Sequence, residues 1–182
     1  MRKILFLIIL LFLSGTVNAV DTENRASNVL KYGEWFVVEF TMPDTITYRV
    51  GAESKLPQQR ENIFIDISPL EQCKPGKFTV NQFIGYKEVD FSGMLFLPIK
   101  YKISNQEIKE SITKPVVSDG FLFTPIEAMN VSELLKNKDE GNLSFWIQPP
   151  PDSSTPINKT FFPINGFSKA YEKAIELCKE NM

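Results

Sequence analysis

Among its 182 residues the chain has no histidine. That absence removes Ser-His-Asp and Cys-His nucleophilic sites, imidazole general bases and histidine-ligated zinc. Catalysis would have to rest on carboxylates, a Ser-Lys pair or a tyrosine. Cysteine is almost as scarce. Cys73 and Cys178 are the only two, which excludes C-x-x-C redox chemistry and cysteine-rich zinc sites. No glycine-rich phosphate loop, EF-hand-like acidic loop or basic aromatic platform is visible along the chain. The reading therefore expects no cofactor and no metal. Basic residues are outnumbered, 20 against 22 acidic, which speaks against a nucleic-acid partner and its demand for a basic face.

Long apolar runs are also missing, apart from one at the start. Met1-Arg2-Lys3 precedes an unbroken apolar stretch from Ile4 to Leu13, and Ser14 to Ala19 ends in the small-x-small pattern Val17-x-Ala19. A bilayer span needs about 20 apolar residues. This shorter run, with its cations and small residues, reads as a secretory signal peptide over 1–19. The mature protein would span 20–182 as one domain, periplasmic or secreted and without a stable membrane span. Losing Arg2 and Lys3 leaves 18 basic against 22 acidic residues, a net charge of −4. An oxidising destination makes the even cysteine count a single Cys73–Cys178 disulfide. In the chain-entropy view a loop near 100 residues contributes up to about 4.7 kcal/mol.

What remains is the grammar of strands. Trp35 to Phe40 is aromatic and β-branched on both faces, and Pro43-Asp44 turns it into the alternating Thr45 to Val50. Ile63, Ile65 and Ile67 share one face of Asn62 to Ile67. Further strands are expected over Lys77–Ile84, Met94–Ile103, Phe121–Phe123, Leu143–Ile147 and Asn158–Ile164. Pro98 inside the second of these suggests an edge position or a bulge. Residues 20–30 read as a loose lead-in, and 104–120 are ambiguous between strand and frayed helix. Asn130 and Glu133 mark a short helix over about 131–139. Phe167, Tyr171, Ala174, Ile175 and Cys178 form one stripe at helical period, so the final helix should pack on a sheet through the face bearing Cys178, with Ser168 or Asn165 as its cap. The expected fold is a mainly-β domain, sandwich-like or a strongly curved antiparallel sheet, with a short helix and a C-terminal packing helix.

Candidate chemistry is thin. Ser111-Ile112-Thr113-Lys114 matches S-x-x-K, but that mechanism needs both groups one turn apart on a buried helix, and Pro115 follows at once. Glu39, Asp66, Glu88, Asp90 and Glu127 lie in or beside strands and could supply a carboxylate pair for hydrolysis, although isolated carboxylates in strands usually face solvent. Phe121, Phe123, Phe145, Trp146, Phe161 and Phe162 could include an exposed patch, while aromatic residues in strands are usually core.

The run from Leu134-Leu135 through Leu143–Ile147, Thr160-Phe161-Phe162-Pro163-Ile164 and Asn165-Gly166-Phe167-Ser168-Lys169-Ala170 to Cys178 resembles the C-terminus of invasion-associated locus B-type proteins. The resemblance covers residues 131–178. It implies a small exported bacterial β-protein, non-enzymatic and linked to host-cell interaction or envelope biology. Members commonly carry further cysteines that this chain lacks, and no functional residue is carried over. By subtraction, the expected function is non-catalytic binding of another protein. One version is an immunity or inhibitor protein against an exported toxin or lytic enzyme. The alternatives are an envelope or virulence factor of the locus B type, and a carboxylate-dependent cell-wall hydrolase. The partner-binding loops expected are Ser54–Arg60, Asn105–Asp119 and Pro149–Ser154, with Arg60 and Lys114 as charged anchors.

Overall fold

Strand-forming segments dominate the computed structural model, which describes residues 25–55, 61–84, 96–147 and 159–182. In chain order the described strands are β1 (Arg25–Tyr32), β2 (Trp35–Met42), β3 (Thr45–Glu53), β4 (Glu61–Ile67), β5 (Phe78–Phe83), β6 (Leu97–Ile103), β7 (Lys109–Thr113), β8 (Val116–Ser118), β9 (Phe121–Ile126), β10 (Asn142–Ile147) and β11 (Thr160–Pro163). Two helices join them, α1 (Val131–Leu135) and α2 (Phe167–Glu180). The strands form two antiparallel sheets, one ordered β1-β2-β3-β4-β5-β9-β8 and the other β11-β10-β6-β7. No helix of the described residues is long and apolar enough to cross a membrane.

Period-2 patterning decides which side chains go inside. Trp35, Val37, Tyr48, Val50, Ile63, Ile65, Ile67, Phe78 and Val80 line the inner face of the large sheet. They share one core with Ile99, Tyr101, Ile103, Leu143, Phe145 and Phe162 of the small sheet and with Phe167, Ala170, Ala174 and Cys178 of α2. The helix covers the β1–β3 end of the large sheet. Trp35 ties the layers together: its indole Nε1–H donates to the Pro163 carbonyl at 2.8 Å, and its ring meets Phe167 edge-on at 4.8 Å.

Cys73 and Cys178 are joined by a disulfide, with Cα atoms 5.8 Å apart. It fixes the last turn of α2 to the β4–β5 connection. The start of α2 departs from the expected cap. Gly166 sits at the N-cap with φ +93°, and a Cβ there would lie 1.8 Å from the Tyr32 carbonyl oxygen. The close crossing of two backbones thus requires glycine. The capping oxygen comes from elsewhere, because Asp139 Oδ1 accepts from both the backbone N–H and the hydroxyl of Ser168, each at 2.9 Å. A carboxylate beside a helix N-terminus also opposes the helix dipole favourably.

Four expectations need correction. The lead-in is partly strand, since β1 pairs along β2 with a bulge between Ser27 and Leu30. It hides in the sequence because, as an edge strand, it is almost wholly exposed. Pro98 does not mark an edge strand: β6 lies between β10 and β7, and Pro98 itself is paired with Ile112 of β7, beyond the last described pair of β6 with β10. Helix α1 ends at Leu135, and Asn130, although extended as an N-cap should be, makes no capping bond with its side chain. Asn130 instead accepts from the Ser132 hydroxyl at 2.6 Å. Finally, of the two readings open for 104–120 the strand is realised, so Asn105–Asp119, expected as a partner-binding loop, contains β7 and β8.

Tyr101 supplies a pH prediction. Its ring is fully buried and its hydroxyl has no hydrogen-bond partner among the described residues. Burial, helped by the negative charge of Glu133, pushes its pKa up to about 12. The unfolded chain loses this proton near pH 10, so the folded state holds more protons between about 10 and 12, and stability falls as pH rises through that window. Burial also raises Tyr48 and Tyr171, in the same direction. Unfolding free energies from urea titrations at about pH 8 and about pH 11 should differ by roughly 1–1.5 kcal/mol in Tyr101's share, since pH 11 is halfway through the window. Tyr101→Phe should shrink that difference while costing less than about 1 kcal/mol at neutral pH, because it removes an unpartnered hydroxyl. An unchanged alkaline loss in the variant would contradict the assignment.

Candidate interaction surface

Two of the candidate carboxylates are paired with cations. Asp66 accepts two bonds from Arg49, at 2.7 and 2.8 Å, on the outer face of the large sheet. The guanidinium is packed over the rings of Phe64 and Phe40, at 3.8 and 4.9 Å. Glu127 pairs with Lys77, and Glu39 accepts from Asn28 at 3.1 Å. Glu88 and Asp90 lie outside the described residues. Ser111 and Lys114 are not on a helix: Ser111 belongs to β7, and Lys114 follows its end. The one-turn Ser-Lys geometry is therefore absent at this motif.

Sequence reasoning missed one buried carboxylate. Glu61 is 7% exposed and accepts from Gln82 Nε2 at 2.8 Å and from the Thr160 hydroxyl. It continues the inward alternation of Ile63, Ile65 and Ile67, which was the available signal. Its partners come from β5 and β11, so it links the two sheets by polar bonds. A groove of about 540 Å³ lies near the disulfide, bordered by Met42, Leu70, Asn181 and Met182. Asp44 is the one carboxylate side chain in its lining, whereas glycoside hydrolysis uses two.

The two sides of the sandwich differ. On one side β11 is covered: Lys55 N–H donates to the Phe161 carbonyl at 3.0 Å, and the Pro163 carbonyl takes the Trp35 indole. On the other side β7 ends the small sheet and β8 ends the large one, and neither has a further strand partner among the described residues. Lys114 and Pro115 join them, so two open edges meet at one corner. Apolar side chains are displayed there, with Ile112 64%, Val116 57% and Val117 45% exposed. Ile108 stands at the start of β7, 54% exposed. Lys114 is exposed at the bend, while Arg60 and Pro149–Ser154 lie outside the described residues, as do residues 56–60 of the first expected loop.

The sequence matches no protein-family profile and no curated protein. A solved structure does match: invasion associated protein B from Bartonella henselae, at 17% identity, with a TM-score of 0.59 over 86% of this chain and 100% of that chain. The likeness is one of fold. It extends well beyond residues 131–178, where the sequence resemblance lay.

Proposed function

We propose that this is an exported, non-catalytic binding protein that docks an extended segment of a protein partner on the open β7–β8 corner. The observation that carries the reading is the meeting of two unpartnered edge strands that display Ile112, Val116 and Val117. Free strand edges offer unpaired N–H and C=O groups to an added strand, and alternate side chains supply selectivity. Lys114 at the bend is the charged anchor on this reading. The disulfide supports an oxidising compartment. The fold shared with invasion associated protein B favours an envelope or virulence role over the toxin-inhibitor role.

Complementation of a deletion strain tests it. Ile112→Glu combined with Lys114→Glu should abolish rescue while leaving the unfolding midpoint nearly unchanged, since exposed substitutions usually cost within about 0.5 kcal/mol. Asp66→Asn and Ser111→Ala should rescue fully. Loss of rescue by either of these in a folded protein would point to an active site and overturn the proposal.

A further inference from the structure

The outer face of the small sheet gathers charge that the sequence scatters. Lys159 precedes β11, Trp146 and Ser144 are on β10, and Lys100 and Lys102 are on β6. Pairing sets them in rows: Ser144 lies between Phe161 and Lys102, and Trp146 lies beside Lys100. The Lys159 ammonium stands 4.8 Å from the Trp146 ring centroid and 5.2 Å from that of Phe161. Lys100 is paired with Glu110 at 2.6 Å. Lys102 and Lys159 have no carboxylate partner among the described residues. In a chain with more acidic than basic residues, this face holds three lysines and one carboxylate. A basic aromatic platform, invisible along the chain, is thus assembled by the fold.

We propose that this face binds an acidic polysaccharide, a chain of sugar rings bearing carboxylate or sulfate groups. β10 is already paired on both sides, so no backbone edge is offered and only side-chain chemistry is available. That chemistry is two ammonium groups without carboxylate partners, one hydroxyl beside Lys102, and half-exposed aromatic rings. Ring faces suit the C–H faces of sugars, and the ammonium groups suit their anions. Neighbouring strands stand about 4.8 Å apart, so Lys159 and Lys102, on opposite sides of β10, flank a sugar chain lying along β10. Trp146 and Phe161 are half-buried beneath Lys159 rather than projecting, which disfavours insertion into a lipid surface. Its lysines stand on or beside β6 and β11, not on β7 or β8, so the proposal does not depend on the β7–β8 reading.

Binding of the intact mature protein to heparin and to polygalacturonate should be compared with dextran, polyglutamate and phosphatidylglycerol vesicles. We expect binding to an acidic polysaccharide that weakens with salt and exceeds polyglutamate binding at equal charge. Lys159→Glu and Lys102→Glu should each weaken it about tenfold or more. Glu110→Gln, which frees Lys100, should strengthen it. Lys114→Glu should leave it unchanged. Trp146→Ala can loosen β10, so the exposed Lys159→Gln, checked for an unaltered unfolding midpoint, decides the aromatic-supported cation. No binding to either polysaccharide at low salt would overturn the proposal. So would equal binding to polyglutamate, or binding confined to vesicles.

Discussion

Replacing both Cys73 and Cys178 with alanine should lower stability by about 3–5 kcal/mol. The bond closes a separation of 105 residues, so its loss restores a large loop's freedom to the unfolded chain. For a chain of this size each kcal/mol moves the melting temperature by about 2–4 °C, so a drop of about 6–20 °C is the expected scale. The C-terminal end of α2 should be affected first. Cys178 is fully buried and Cys73 nearly so, hence the oxidised protein should show no reactive thiol until it is both unfolded and reduced. Urea unfolding of the wild type and the double variant, side by side, checks the effect. A difference below about 1 kcal/mol would mean that packing of the α2 stripe alone holds the helix in place.

Trp35→Ala is expected to be comparably damaging, by about 3–5 kcal/mol. The side chain is fully buried, so truncation leaves a cavity where β2, α2 and β11 meet. It also removes the donor to Pro163 and the edge-on contact with Phe167. Trp35→Phe separates the two contributions. It keeps most of the apolar volume but leaves the Pro163 carbonyl without that donor, at a cost of about 1–3 kcal/mol. If the two variants were equally destabilised in urea, the hydrogen bond rather than the packing would dominate at this junction. Two near-neutral variants would mean that the sheets are not joined through Trp35.

Much of this arrangement was legible in the residues because burial imposes a pattern. Ile63, Ile65 and Ile67 alternate because one face of β4 is inside, and the α2 stripe repeats at helical period because one side meets the sheet. The two cysteines permitted one intramolecular pairing, and Cys178 lay on the buried stripe. Edges were illegible for the converse reason. β1, β7 and β8 are largely exposed, so no alternation is demanded of them, and 104–120 read as ambiguous between strand and frayed helix. The Asp139 cap was hidden by distance along the chain: its partner Ser168 is 29 residues away. Lys159, Trp146 and Lys102 escaped for the same reason, since only strand order brings them to one face. Local propensity reads elements well, whereas sites built across strands require the register.

The central claim is that the protein works through the β7–β8 corner, and site-specific photocrosslinking in the exporting cell tests it most directly. A photoreactive residue at position 112 should give one discrete protein adduct. The adduct should disappear when Lys114→Glu is added and be absent when the probe sits at position 138, on the exposed turn after α1. No adduct at position 112, or the same adduct from both positions, would contradict the account.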